Sequence, residues 1–365
     1  MNETVYGKYS TGSGTGIEDD NTNDVLSSSS ILYYEKEISN NLYKMGLDIE
    51  SLAGMNVLNI GSGREAIALS NLGAKMVSHY DYSKENVDRL KLYLKNSNIK
   101  SIKTCQADIV NYPLKPSQFD LIYTHGVVQH FSDTGKGLLN LLKSLKKNGL
   151  IWLYFYRSGS FSHFINSMIR DIGLEEAKMK DYYIAVSLLA SQEGTPNQYV
   201  SDFMDRAFCE YANLFAADKY IDFVSQYGFK IVSSSKLDPI NRQVDHKYSH
   251  QSTILVAQLE NPGDLYKNPN SKILSHTLSV NQLDKELYQD QPRGIEVIEI
   301  LHEYEKLKKV LLKINSDVIN FSFAYSIFNI YMRGYYEYCK NGYYDLDDLY
   351  PSLKKCIINL RDHIT

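Results

Sequence analysis

The chain has 365 residues, a length that suits one large or two ordinary domains with a sizeable buried core. Apolar residues make up 43% of the chain and charged residues 22%, and the net charge is −4. No overall basic field exists to hold nucleic acid or anionic lipid, so we expect neither a nucleic acid nor a membrane as partner.

The cysteines and the N-terminus favour a cytoplasmic protein. Cys105, Cys209, Cys339 and Cys356 contain no C-x-x-C pair, which argues against a disulfide framework or a thiolate zinc site. The first ten residues lack the basic and apolar segments of a secretory signal. We therefore predict a cytoplasmic location and no metal site.

The first 45 residues contain a polar arm and then a helix. Residues 1–30 are rich in glycine and serine, so we expect a flexible arm, from which Tyr9 could fold over a bound cation. Residues 31–45 show helical spacing, with an apolar stripe formed by Tyr34, Ile38, Leu42 and Met45.

From residue 55 the pattern alternates between short apolar strands and amphipathic helices. Strands are predicted over 55–60, 74–81, 101–108, 119–126, 150–156, 229–237 and 251–259. Helices are predicted over 64–73, 84–96, 136–147 and 217–227. This alternation is typical of an α/β fold with a doubly wound, mostly parallel seven-stranded sheet and helices on both faces.

Two helical regions depart from the alternation. Residues 158–225 are predicted to be a helical insert on the substrate side of a central domain over 31–260, and residues 261–365 a helical C-terminal appendage. The helix predicted over 295–314 carries an apolar stripe that must be buried in the chain itself, in a homodimer or against a protein partner. Its members are Val297, Leu301, Tyr304, Leu307 or Leu311, and Ile314.

The stretch VLNIGSGREAIAL carries the most functional information. Gly61 and Gly63 stand where the chain turns from a strand into a helix, so a ligand can approach the backbone closely. Asp81 follows twenty residues later at the end of the second strand, where a carboxylate can accept hydrogen bonds from ribose hydroxyls. The combination predicts a cofactor that carries a nucleoside.

Over about residues 50–260 the sequence resembles the class I S-adenosylmethionine-dependent methyltransferases. The resemblance rests on VLNIGSGRE, HYDYS, QADI and FDLIYTHGVVQHFSD, and on the terminal pair of strands. It implies a Rossmann-like methyltransferase fold, S-adenosylmethionine as cofactor and S-adenosylhomocysteine as product. It also implies that Asp108 binds the adenine amino group and that Ile109 packs on the ring. The residues expected to bind the cofactor are Tyr9, Asn59, Gly61, Ser62, Gly63, Asp81, Tyr82, Asp108, Ile109, His125 and Gly126.

Methyl transfer is an in-line displacement, so the protein mainly aligns donor and acceptor, and a base is needed only when the acceptor must lose a proton. The candidate catalytic residues are His130, Tyr156 and His250. Arg157 and His246 are the candidate substrate contacts. His246 and His250 have a spacing that suits a metal on a helix, but no third ligand is evident in the sequence.

These observations favour an enzyme that methylates an O, N or S atom of a small molecule or sugar-like metabolite. Two positions depart from the family pattern: Asn59 replaces an acid, and Glu65 replaces a glycine. They leave open an alternative, a catalytically silent methyltransferase-like subunit that binds a protein partner through its helical tail. A nicotinamide oxidoreductase is disfavoured by QADI and by Glu65, since a carboxylate there does not suit a pyrophosphate.

Overall fold

A computed structural model describes residues 26–156, 161–171, 211–234 except 216, 252–266, 294–341 except 315, and 345–364, with a few isolated residues between 185 and 274. Its described residues belong to two compact units. The sheet unit lies within Met1–Tyr156, Cys209–Asp238 and Ser252–Thr277. The helical unit lies within Arg157–Phe208, Pro239–Gln251 and Leu278–Thr365.

The strands all belong to the sheet unit. They are β1 (Asn56–Ile60), β2 (Met76–Asp81), β3 (Ile102–Gln106), β4 (Phe119–His125), β5 (Leu145–Tyr156), β6 (Phe229–Ser234) and β7 (Ser252–Leu259). The helices along the chain are α1 (Ser28–Lys44), α2 (Arg64–Asn71), α3 (Lys84–Asn96), α4 (Thr134–Ser144), α5 (Phe161–Asp171), α6 (Ala217–Gln226), α7 (Gly294–Ile314), α8 (Asp317–Asn341) and α9 (Leu346–Ile364).

The seven strands form one sheet in the order β3-β2-β1-β4-β5-β7-β6. Strands β1 to β5 pair in parallel, whereas β7 runs antiparallel to both β5 and β6. The predicted fold class, with its reversed terminal pair of strands, is confirmed. Because β6 is therefore parallel to β1–β5, its end lies at the same edge of the sheet as theirs.

Several predicted boundaries differ from the structure by one to three residues, and the largest error lies between α4 and β5. The helix predicted over 136–147 ends at Ser144, and β5 begins at Leu145 rather than at residue 150. Leu145 pairs with Phe119 on β4, and Lys146 Nζ lies 2.8 Å from both carboxylate oxygens of Asp120. These cross-strand contacts hold a lysine-rich segment in the sheet although its local sequence reads as helix.

The sheet is buried on both faces. One core packs α1, α2 and α3 against the sheet, and the other packs α4 and α6 against the opposite face. The predicted stripe of α1 is buried, with Tyr34, Ile38, Leu42 and Met45 at most 8% exposed. Asn41 Nδ2 on the same helix donates to the hydroxyl of Tyr123 on β4 at 3.1 Å.

The helical unit buries the predicted stripe of α7. Val297, Leu301, Tyr304, Leu307 and Leu311 are at most 1% exposed. Ile314 was expected on that stripe but is 41% exposed, because it is the last residue of the helix.

Residues 161–171 fall in the predicted insert of the central domain, yet they pack with the C-terminal helices. The Tyr304 hydroxyl has two acceptors for its one proton, Met168 O at 2.8 Å and Asp171 Oδ2 at 3.1 Å. Lys308 Nζ lies 2.7 Å from the same Asp171 oxygen. Among the described helices, none is both long enough and apolar enough to span a bilayer.

Candidate functional site

The turn between β1 and α2 has a backbone conformation that favours glycine. Gly61 has φ +135° and Gly63 has φ +95°, both in the region that side chains disfavour. A Cβ on Gly63 would come within 3.0 Å of Leu90, and one on Gly61 would lie 3.5 Å from Val127. Both positions therefore favour glycine, and the turn lies at the carboxyl edge of the parallel strands, where ligands bind in such sheets.

His79 holds this turn in place by a hydrogen bond to Gly61 O. This residue was not among those identified from the sequence. The side chain is fully buried, with Nε2 at 2.6 Å from Gly61 O and Nδ1 at 2.7 Å from Thr104 Oγ1. A carbonyl only accepts, so Nε2 carries the proton and Nδ1 accepts from the threonine hydroxyl. Burial lowers the pKa of His79 to about 4, which keeps it neutral at pH 7. The sequence feature that could have identified His79 is a histidine inside the strand MVSHYD.

Asn59 leaves one polar atom free beside the same turn. It is fully buried, and its Nδ2 donates to Tyr123 O at 3.0 Å, which fixes the orientation of the amide. Its Oδ1 is buried without a hydrogen-bond partner in the described part of the chain. Ser62, within the turn, points its hydroxyl towards Glu65 Oε2 at 3.5 Å.

Asp81 places a buried carboxylate at the end of β2. Its Oδ1 accepts from the Ser83 N–H at 2.6 Å, and its Oδ2 accepts from Asn86 Nδ2 at 3.1 Å. Burial raises the pKa of Asp81 to about 7, against the lowering effect of these two hydrogen bonds. Each oxygen has a second lone pair, so the carboxylate can still accept from a ligand. The neighbouring Tyr82 accepts from Gln106 Nε2 through its carbonyl at 3.2 Å.

The QADI segment follows β3. Asp108 is partly buried, with Oδ1 accepting from the Val110 N–H at 3.0 Å and Oδ2 accepting from Asn111 Nδ2 at 2.7 Å. Ile109 is 3% exposed and belongs to the core on the α4 side of the sheet. The carboxylate is thus oriented by its own loop, while the apolar side chain anchors that loop.

His125 and Gly126 end β4 among aromatic rings. The centre of the His125 ring lies 4.2 Å from that of Tyr154 on β5 and 5.6 Å from that of Tyr34 on α1. Burial lowers the pKa of His125 to about 4, and its buried Nδ1 has no hydrogen-bond partner among the described residues. Gly126 has φ +68°, and its carbonyl accepts from Gln129 Nε2 at 2.6 Å.

His130 and Tyr156 lie close together at this edge. His130 Nδ1 is 2.8 Å from Tyr211 O, so Nδ1 carries a proton and, in the neutral ring, Nε2 holds the basic lone pair. The rings of His130 and Tyr156 meet edge to face at 6.1 Å. The Tyr156 hydroxyl would be 3.5 Å from a Cβ placed on Gly126. Four other candidates, Tyr9, Arg157, His246 and His250, lie outside the described residues.

Comparison with known proteins identifies the class. Residues 58–153, about a quarter of the chain, match a family model described as a methyltransferase domain. This region is therefore a methyltransferase domain, in agreement with the predicted resemblance to the class I S-adenosylmethionine-dependent methyltransferases. The match also confirms S-adenosylmethionine as the cofactor. No curated protein matches the chain.

Solved structures give weaker likenesses. One is an S-adenosylmethionine-dependent methyltransferase from Mesorhizobium loti, with 13% identity, a TM-score of 0.41, and 60% of this chain and 96% of that chain covered. Another is magnesium protoporphyrin IX methyltransferase from Synechocystis with bound SAH, with 13% identity, a TM-score of 0.38, and 62% and 82% covered.

The residues present fit this cofactor. Gly61 and Gly63 let the backbone turn at positive φ at the end of β1, and the buried Asp81 at the end of β2 can accept hydrogen bonds from two neighbouring hydroxyls. Asn59 Oδ1 adds a buried acceptor that lacks a partner among the described residues. The site can therefore take a ligand that combines a ribose with hydrogen-bond donors.

Proposed function

We propose that this protein is a methyltransferase that moves a methyl group from S-adenosylmethionine to an O, N or S atom of a small molecule or sugar-like metabolite. The proposal is carried by one arrangement: the glycine turn, the buried Asp81 and the His130–Tyr156 pair lie at the carboxyl ends of neighbouring strands in one sheet. When bound, the cofactor supplies an activated methyl group on a sulfonium.

The residues at this sheet edge are proposed to bind different parts of the cofactor. Asp81 accepts hydrogen bonds from the ribose, Asp108 accepts from the adenine amino group, and the turn at Gly61–Gly63 admits the cofactor backbone. His125 and Gly126 border the methionine portion, with Tyr82 and Ile109 supporting the adenosine side. The role of Asp81 follows from its acceptor capacity and its place at the end of β2, and the other roles are those that the resemblance to the class I methyltransferases implies.

His130 is the proposed general base. Its Nδ1–H is held by Tyr211 O, so Nε2 is the atom able to take a proton from an acceptor hydroxyl, amine or thiol. Tyr156 lies beside it and can hydrogen-bond the acceptor. His250, His246, Arg157 and Tyr9 complete the proposed acceptor and cofactor contacts.

The nature of the acceptor is inferred from charge. A net charge of −4 does not suit nucleic acid, and a metabolite in the cytoplasm fits the composition. The silent-subunit alternative would bind a partner through the helical tail. The predicted stripe of α7 is at most 1% exposed apart from Ile314, so this stripe is not the partner surface. Other apolar side chains of α7 are exposed, namely Ile295, Ile298 and Leu312, and the labelling experiment below distinguishes the enzyme from the subunit.

Incubation with S-adenosylmethionine carrying an isotope-labelled methyl group and pooled cytoplasmic metabolites tests the proposal. We expect one class of small molecules to gain one labelled methyl, and His130→Gln to slow the transfer while leaving cofactor binding intact. Cofactor binding without transfer to any pool would contradict the enzyme and support the silent subunit.

A further inference from the structure

Glu65 is a buried carboxylate with few partners. It is the second residue of α2, and 2% of its surface is exposed. Within the described ranges its oxygens make two long contacts, 3.2 Å from Oε1 to Arg64 Nε and 3.5 Å from Oε2 to Ser62 Oγ. A carboxylate has about four acceptor positions, so much of its capacity is unused. A buried charge with few partners is costly to the fold.

The charge of Glu65 reaches the groups that border the candidate site. Burial sets the pKa of His79 and His125 low and that of Asp81 high, and Glu65 raises the pKa of all three. A charge acts in this way only on groups that are near it. The geometry agrees for the glycine turn, because Glu65 Oε2 lies 3.5 Å from the hydroxyl of Ser62 within that turn.

The cation next to Glu65 is held towards α1. The guanidinium carbon of Arg64 lies 4.3 Å from the ring centre of Tyr34, an arrangement that binds the cation to the aromatic face. Its side chain is 30% exposed, and it meets the carboxylate through Nε rather than through a two-pronged contact. Within the described residues, Glu65 Oε2 therefore has the Ser62 hydroxyl, at 3.5 Å, as its partner.

We propose that Glu65 is the anchor for the ammonium group of the cofactor's amino-acid portion, with Asn59 Oδ1 as a neutral acceptor nearby. This inference rests on the proposed function, since it requires an adenosyl cofactor at the glycine turn. Glu65 then distinguishes adenosyl compounds that carry an amino-acid chain from those that lack one. A charge-assisted contact of this kind is directional as well as strong.

Calorimetric titration with S-adenosylhomocysteine and with 5′-methylthioadenosine tests the anchor, because the second ligand lacks the amino-acid chain. We expect Glu65→Gln to weaken binding of S-adenosylhomocysteine by about 10- to 100-fold, the range of a lost charge-assisted hydrogen bond. Binding of 5′-methylthioadenosine should change by less than about 2-fold. Asp81→Asn should weaken both ligands, since both contain the ribose.

Glu85→Gln is the matched control. Glu85 also lies in the first turn of a helix and pairs with an arginine, Arg89, at 3.3 Å, but its side chain is 45% exposed. It should alter the affinity of neither ligand. Thermal melting should show Glu65→Gln at least as stable as the wild type, because the substitution removes a buried charge.

A ligand-side measurement covers the case in which Glu65→Gln does not fold. On the wild-type protein, replacing the ligand's amino group by a hydroxyl should lower affinity by a similar factor, and equal affinity would overturn the anchor. Equal weakening of both ligands by Glu65→Gln, or weakening of neither, would also overturn it while leaving the proposed function intact. Failure of the wild type to bind S-adenosylhomocysteine would overturn the proposed function and the anchor together.

Discussion

Asp81 is an acid whose burial raises its pKa to about 7, so its ionisation changes within the physiological range. In the free protein the carboxyl group is protonated below that pH and ionised above it. Ribose hydroxyls that donate to the carboxylate favour the ionised form, so binding should lower the pKa and release a proton. The affinity for an adenosyl ligand must then rise with pH.

We expect the affinity for S-adenosylhomocysteine to rise by about 10-fold between pH 6 and pH 8, because each pH unit below the pKa costs up to a factor of ten. Titration calorimetry in buffers of different ionisation enthalpy would measure both the affinity and the released proton. Asp81→Asn should flatten the profile. An equally steep profile in that variant would assign the pH dependence to another group.

His79 joins the glycine turn to β3, with one hydrogen bond to Gly61 O and one to the Thr104 hydroxyl. His79→Leu leaves Gly61 O and Thr104 without these partners, so we expect a loss of about 1–3 kcal/mol in stability and several-fold weaker S-adenosylhomocysteine binding. His79→Gln keeps an amide donor at about the distance of Nε2 and should retain most of the affinity.

Denaturant melts and ligand titrations separate these effects. Ser144→Ala is the control: it removes a buried hydrogen bond from Ser144 to Leu141 O on α4 and should lower stability without changing affinity. If His79→Leu and Ser144→Ala affect binding equally, His79 serves general stability rather than the turn.

The helix α4 shows how packing overrides intrinsic preference. Gly137 lies inside this helix, where alanine would ordinarily be favoured by about 1 kcal/mol. A Cβ at this position would approach Phe131 Cε2 to 2.9 Å, and the Phe131 ring is buried. The close approach of helix and ring therefore requires glycine.

Gly137→Ala should lower the stability of the sheet unit by about 1–2 kcal/mol, because overpacking of the Phe131 ring outweighs the gain in helix preference. Chemical denaturation would measure the loss. As a second test, the double variant Gly137→Ala with Phe131→Leu should recover part of the lost stability, because the smaller side chain leaves room for the Cβ. A more stable single variant would contradict the packing argument.

At the level of elements, local pattern was sufficient for the parallel strands and for α1 and α7, since each has a clear apolar period. It failed at Leu145–Asn148, where the partner strand decides the conformation. The turn at Gly61 and the carboxylate at Asp81 could be predicted from their spacing. His79 and Glu65 could not, because their contacts depend on strand register and on the packing of neighbouring helices.

At the scale of the molecule, an ion pair joins two distant parts of the sequence within the helical unit. Asp171 is 5% exposed, and burial raises its pKa despite Lys308 Nζ at 2.7 Å. The Tyr304 hydroxyl lies 3.1 Å from the same oxygen. This cluster ties α5 to α7, which explains why residues 161–171 group with the C-terminal helices.

Lys308→Met should destabilise the helical unit by about 2–4 kcal/mol, because it leaves the Asp171 carboxylate buried without its cation. Adding Asp171→Asn should recover most of the loss. Hydrogen exchange of α5 and α7 would detect the change locally. Lys306→Met, which removes an exposed pair with Glu303 on the same helix, should have little effect, and an effect equal to that of Lys308→Met would contradict the account.

We propose above all that the sheet edge at Gly61, Asp81 and His125 binds the adenosyl methyl donor. Calorimetric titration of the full chain with S-adenosylmethionine, S-adenosylhomocysteine and NAD, alongside Asp81→Ala, tests it most directly. We predict roughly micromolar binding of both adenosyl sulfur ligands, loss of that binding in the variant, and no binding of NAD. Binding of NAD alone, or adenosyl binding that survives in Asp81→Ala, would contradict the claim.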